Sequence, residues 1–265
     1  MTIWTSFKDS LIRAGLEPWL RPIATAMWGR HIDTDDLAAR QIIAGLPTDA
    51  VCVDVGCHKG LYLDPMRQQA VEGRFFAIEP IPYLYDLLRA KYRNDSRVTV
   101  LNFALSSKRG TAEFFINDSD MGLSGLSRRP GRKGIDQQRL VSVSVVMRTL
   151  DELLADQHVV FLKIDVEGAE FDVLKGAERL LEKSRPCVLF EFGLGGAEYF
   201  GVGADVMFEF FAGHRYALST AAEYADGGTP LDRDAFATCF ASNSAYNFMA
   251  APLDRKGYGP GIAAG

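Results

Sequence analysis

The chain has 265 residues, 48% of them hydrophobic, and a formal net charge of -5. That is enough for one large domain with a buried core, or a domain plus a small appendage. The acidic balance argues against a general nucleic-acid binder, because phosphate recognition needs clustered positive charge to displace counterions.

In chain order, residues 1–45 read as a helical segment packing on the core, with Trp4, Phe7, Leu11, Trp19, Ile23 and Met27 near helical spacing and Pro18 and Pro22 as interruptions. Lys8, Asp9, Arg13 and Glu17 break up any apolar core of signal-peptide type, and no later run is long enough to span a bilayer. The cysteines Cys52, Cys57, Cys187 and Cys239 form neither a CxxC pair nor a zinc spacing. These features predict a reduced, cytoplasmic protein.

From residue 51 short apolar runs alternate with helical stretches. Val51–Val55 precedes a helix near 60–70, Phe75–Ile78 a helix near 82–92, and Val98–Phe103 a turn at Lys108-Arg109-Gly110. Val159–Ile164 precedes a helix near 169–183, and Val188–Phe192 follows. Continuous apolar runs between helices fit strands covered on both faces, so the expectation is an α/β fold with a doubly wound, mainly parallel sheet. Thr111–Ile116 and Leu140–Met147 alternate apolar and polar residues, as a small antiparallel insertion would. Between them, 117–139 reads as a long loop that holds the cationic run Arg128-Arg129-Pro130-Gly131-Arg132-Lys133, either a solvated loop or a lid over an anionic acceptor. The main domain is expected over 46–252 and a flexible tail over 253–265.

The first strand runs through Asp54 into a turn with Gly56 and Gly60. Such a turn presents backbone amides at a strand-to-helix junction, and its glycines allow close approach to a ligand. A nicotinamide dinucleotide favours three glycines in a GxGxxG turn, whereas this turn has two, with an acid just ahead. S-adenosylmethionine has no pyrophosphate; its carboxylate suits amides and its ammonium suits an acid. Glu79 follows 25 residues after Asp54 at the end of the next strand, where a carboxylate can accept ribose hydroxyls.

With Ile78-Glu79-Pro80, Asn102-Phe103-Ala104-Leu105-Ser106, Arg148-Thr149-Leu150-Asp151, Leu162-Lys163-Ile164-Asp165-Val166-Glu167-Gly168-Ala169-Glu170 and Glu191 in this order, the chain resembles the FkbM-like methyltransferases over roughly residues 50–195. The resemblance implies a Rossmann-like class I methyltransferase fold, S-adenosyl-L-methionine as cofactor, and transfer of its methyl group to a hydroxyl. It also implies a donor site in which Asp54, Gly56 and Gly60 line the methionine part, Glu79 the ribose, and Ala104 with Leu105 the adenine edge, with His58, Pro80 and Ser124 also counted among the cofactor-binding residues. Ser124 falls where relatives carry a Gly/Ser-rich segment beside the donor. His58 stands where related sequences often show Asn.

Methyl transfer is an in-line displacement, so alignment dominates and a base matters most for an alcohol. Asp165, at the end of the fourth main strand, is the first candidate for acceptor contact or base, Glu167 the second and Glu191 the third. The competing reading makes Asp165 and Glu167 helix caps, with Glu170 a first-turn residue that complements the helix dipole. His58 is an alternative base. No metal is expected. The acceptor is a small molecule, sugar or glycan rather than a nucleic acid, and a homo-oligomer stays open. N-methylation, a nicotinamide-dependent oxidoreductase and a non-catalytic binding domain are the competing functions.

Overall fold

A computed structural model describes residues 31–117, 124–127, 140–154 and 156–254. The expectations for the first 30 residues and their tryptophans, for the Arg128–Lys133 run and for the tail after Asp254 lie outside the described residues. The chain divides into two units after Leu37, and the sheets described below belong to the second.

The alternation of apolar runs and helices folds as a mostly parallel sheet. Helix α1 (His31–Ala44) leads into β1 (Val51–Val55), α2 (Leu63–Gln69), β2 (Arg74–Ile78), α3 (Pro82–Tyr92) and β3 (Val98–Leu101). The short β4 (Ala104–Leu105), β5 (Gly110–Asn117) and β6 (Leu140–Arg148) follow, then α4 (Leu150–Leu154), β7 (Phe161–Ile164), α5 (Glu170–Lys175), α6 (Glu178–Ser184) and β8 (Cys187–Glu191). The remaining elements are α7 (Ala204–Gly213), β9 (Tyr216–Thr220), α8 (Ala221–Ala225), α9 (Arg233–Ser242) and β10 (Asn247–Pro252).

Seven strands form one sheet in the order β3-β2-β1-β7-β8-β10-β9. β1, β2, β3, β7 and β8 run parallel, and β10 is antiparallel to both β8 and β9. This is a doubly wound sheet whose order reverses between β1 and β7, the place where such folds open a ligand crevice beyond the carboxyl ends of their strands. The antiparallel insertion forms: β5 pairs β6 along its whole length, and β6 extends to β4 in a second sheet of order β4-β6-β5.

Burial explains the apolar runs. Every residue of β1 and β7 is buried, and alternate residues feed two cores on opposite faces. Val53, Val55, Leu162, Ile164, Val188 and Phe190 enter one, and Cys52, Phe75, Phe161, Cys187 and Leu189 the other. Two expected elements differ in detail. The single helix near 169–183 is two, α5 and α6, parted at Gly176, where a side chain would overlap the Ser106 carbonyl oxygen. The third strand stops at Leu101 because the Asn102 side chain turns back to donate to the carbonyls of Glu79 and Pro80, at 2.8 and 3.0 Å. Among the described residues, no helix is long and apolar enough to cross a membrane.

Candidate active site

The turn after β1 lies at the reversal point. Gly56 (φ 75°), His58 (φ 50°) and Gly60 (φ 80°) all take left-handed backbone. Gly56 is required twice over, since a Cβ there would overlap the Asp165 carbonyl oxygen of the neighbouring strand end. His58 suits this conformation, because Asn, Asp and His are the non-glycine residues that best tolerate it.

The amides of this turn are largely committed within the protein, contrary to the expectation that they face a ligand. Gly56 and Cys57 donate to the Ile78 carbonyl at 3.0 and 3.2 Å, and Gly60 donates to the Cys57 carbonyl at 2.8 Å. His58 donates to Glu79 Oε2 at 2.8 Å. The β1–β2 register ends at Val55↔Ile78, and the turn folds back so that both following amides reach the Ile78 carbonyl at the end of β2.

Glu79 is therefore the clasp between the two strand ends: its other oxygen, Oε1, accepts the Ile81 amide at 2.9 Å. Burial pushes its carboxyl up to about 7 against the opposing pull of these two amide bonds. Beside it lies a small apolar slot of about 20 Å³, lined by Gly56, Pro80, Ala104 and Leu105 together with Phe103 and Leu126. Four of the sequence-predicted residues thus meet there.

Asp54, the fourth residue of β1, is wholly buried beneath the turn. Neither of its oxygens finds a hydrogen bond of ordinary geometry. Lys163 Nζ stands 3.6 Å from Oδ1, and the Cys57 thiol is a second neighbour. Burial raises the Asp54 carboxyl, with Lys163 acting in the opposite direction. The same Lys163 ammonium reaches Asp165 Oδ2 at 3.1 Å and sits 4.9 Å from the centre of the Tyr62 ring. Burial lowers the proton affinity of Lys163, but Asp165 and Asp54 more than offset it and hold the group above the usual lysine range.

Lys163 was not singled out from the sequence. The signal was there: a lone charged residue in an otherwise apolar strand, in register with an acid on the next strand, Asp54↔Lys163.

The ends of β7 and β8 carry the other predicted acids. Asp165 is partly exposed, with 30% of its side chain accessible. Neither Asp165 nor Glu167 caps α5: the N-cap is Ala169, without a side-chain bond. Glu167 takes φ 60° and Gly168 φ 105°, and a Cβ on Gly168 would collide with the Gly196 backbone, so the loops after β7 and β8 touch main chain to main chain. Glu170 does begin α5, yet it is buried, and its Oε1 accepts the amides of Val166 and Gly168 at 2.9 and 3.1 Å. Burial pushes its carboxyl up to about 7. Glu191, the last residue of β8, is raised well above the carboxylate range by burial and by the nearby charges of Asp165, Glu167 and Glu170.

These ends floor a cavity of about 290 Å³, lined by Glu167, Glu170 and Glu191 and by Phe115, Asn117 and Phe192. Its rim carries Leu194, Tyr199 and Tyr246, all exposed. Ser124 lines neither space. It is buried, with its hydroxyl accepting the Asn117 amide at 3.0 Å, while Gly125 bridges to Phe115 and lies against Glu167. The strip it anchors forms a wall, with Leu126 facing the slot and Ser127 the cavity. Among the described residues, no group of three or more His, Cys, Asp or Glu side chains is placed to hold a metal ion.

The sequence is similar to known proteins over about half of its length. It is 31% identical to the methyltransferase sdnD of Sordaria araneosa, over 51% of this chain and 63% of that one. It is 28% identical to the 2-O-methyltransferase NoeI of Sinorhizobium fredii, over 55% and 65%. A crystal structure of a methyltransferase FkbM from Methylobacillus flagellatus superposes with a TM-score of 0.48 at 17% identity, covering 77% of this chain and 44% of that one. The chain spans less than two thirds of the length of the curated relatives it matches. The family model described as methyltransferase FkbM domain matches residues 54–218, from the buried acid of the first turn to β9, and the chain belongs to that family.

Proposed function

We propose that residues 46–252 catalyse methyl transfer from S-adenosyl-L-methionine to a hydroxyl of a small molecule, sugar or glycan. The observation that carries this reading is the adjacency of two unlike spaces at the sheet's reversal point. Val166 lines the apolar slot and Glu167, the next residue, lines the acid-floored cavity. A flat, apolar nucleoside base fits the chemistry of the slot, with Glu79 at its edge for a ribose, and an acceptor fits the cavity. Membership of the FkbM family and the name of the relative NoeI, a 2-O-methyltransferase, support a hydroxyl as the acceptor.

When bound, the donor supplies a sulfonium-activated methyl group. The protein aligns the acceptor for in-line attack and accepts its proton, with Asp165 as the base. Glu191 and Glu167 act as hydrogen-bonding partners of the acceptor in the cavity. The acids Glu167, Glu170 and Glu191 of the lining favour an uncharged hydroxyl compound over an anionic one where it meets them, since desolvated like charges repel. The slot must widen to take a purine, because its present volume holds about one water molecule.

Calorimetry tests the donor half. S-adenosylhomocysteine should bind, NAD should not, and Ala104→Phe, which fills the slot, should abolish the binding. NAD binding alone would overturn the reading. Incubating the protein with labelled donor and a cell extract, followed by identification of the methylated product, tests the acceptor half; an N-methylated product would refute the hydroxyl.

A further inference from the structure

We infer that Lys163 is the positioning residue for the acceptor-side carboxylate: Asp54, Lys163 and Asp165 form a relay across β1 and β7 that fixes Asp165 at the crevice. The inference rests on the reading above, in which Asp165 takes the acceptor proton.

Three observations carry it. First, Lys163 is 5% exposed and Asp54 fully buried, whereas Asp165 is partly exposed, so of the three it is Asp165 that can meet an acceptor. Second, the ammonium has a defined set of neighbours: Asp165 Oδ2 at 3.1 Å, Asp54 Oδ1 at 3.6 Å and the Tyr62 ring face at 4.9 Å. A cation held by a buried acid on one side and a partly exposed acid on the other is arranged as in catalytic triads, where a buried third group orients the group that meets substrate. Third, burying charge at these positions is a poor route to stability. A buried ion pair at best roughly matches apolar residues of similar volume, and the flanking positions of both strands are apolar and packed. The charged pair at the strand centre is therefore explained by what it does to Asp165.

The surroundings make the cation count. Cys57 and Glu79 face Asp54 and Lys163 from the first two strand ends, and Glu167, Glu170 and Asp165 face Glu191 from the loop after β7 and from α5. Lys163 is a positive charge set among these acids. Without it, Asp165 would lose the ammonium that holds its Oδ2 at 3.1 Å.

The test uses the full chain, with Lys163→Met, Lys163→Arg and the charge-balanced double variant Asp54→Asn/Lys163→Met, the last in case the single Met variant leaves Asp54 uncompensated and unfolds. Carboxyl ¹³C NMR at fixed pH follows the environment of the Asp165 side chain, calorimetry the affinity for S-adenosylhomocysteine, and labelled donor with a cell extract the turnover. The expected result is an Asp165 carboxyl resonance displaced from its wild-type position in the folded Met variants. Turnover should fall roughly 30-fold or more, S-adenosylhomocysteine affinity should stay within about threefold, and Arg should return both resonance and turnover toward wild type. An unmoved Asp165 resonance, or Met variants with full turnover, would overturn the inference. Failure of the wild-type chain to bind S-adenosylhomocysteine would instead overturn the donor reading, leaving the resonance result to stand by itself.

Discussion

The two halves of the candidate site are built in opposite ways. On the β1–β2 side the strand ends are stitched closed: turn amides bond to Ile78 and Glu79, Asp54 is sealed beneath them, and the slot has about 20 Å³. On the β7–β8 side the ends are open, with three acids, Glu167, Glu170 and Glu191, lining a cavity of about 290 Å³ with an aromatic rim. A closed, internally satisfied turn can serve one unvarying ligand, whereas an open cavity sets which acceptor enters. On the proposed function, the difference gives fixed donor chemistry to one side and specificity to the other.

Asp165→Asn should break the open side alone. Turnover is expected to fall by about 10²–10⁴-fold, with S-adenosylhomocysteine affinity unchanged by calorimetry; loss of that affinity would mean that the two sides are one site. Gly56→Ala should break both, because its Cβ meets fixed backbone at Asp165 and its φ is left-handed. A stability loss of about 2–5 kcal/mol is expected in urea unfolding. Gly60→Ala should cost less, since the obstacle there is the end of the Tyr92 side chain.

The two buried carboxyls that clasp the loops, Glu79 and Glu170, give a pH signature. Each titrates near 7 when folded but near 4.5 when unfolded, so the folded state holds more protons between those values. Stability should therefore fall as pH rises from about 4.5 to 7, on the order of 3 kcal/mol per carboxyl at most. Urea midpoints across that range should show the decline, and Glu170→Gln should flatten it; a rising midpoint would refute the assignment. Tyr246→Ala should raise the acceptor KM several-fold, about 1 kcal/mol of contact, while leaving donor affinity alone. His58→Asn should change stability by less than about 0.5 kcal/mol. A tenfold loss of S-adenosylhomocysteine affinity in that variant would show that the His58 ring itself serves the donor.

The fold was legible wherever the signal was local. Runs such as Val51–Val55 and Phe161–Ile164 read as buried strands because both faces are covered, and Gly56 with Glu79 marked the first crevice. What local reading missed depends on distant partners. Asn247–Pro252 enters the sheet antiparallel between β8 and β9, which nothing in its own short apolar run declares. Lys163 stood inside a quoted motif, but its meaning lies in the cross-strand pairing with Asp54. Glu170 was correctly placed in a first helical turn, and only the folded loop shows its carboxylate pinning Val166 and Gly168. The amides of the first turn were expected to serve a ligand, because a strand-end turn does not announce that the neighbouring strand will occupy its donors.

The backbone contact between Gly168 and Gly196 limits how this protein can diverge. With main chain against main chain, the cavity floor has no side chain there to enlarge, shorten or exchange. At that point of the floor the shape of the cavity is set by backbone, and side-chain substitution can reshape it only at the residues around the contact, among them Phe115, Leu140, Tyr199 and Tyr246.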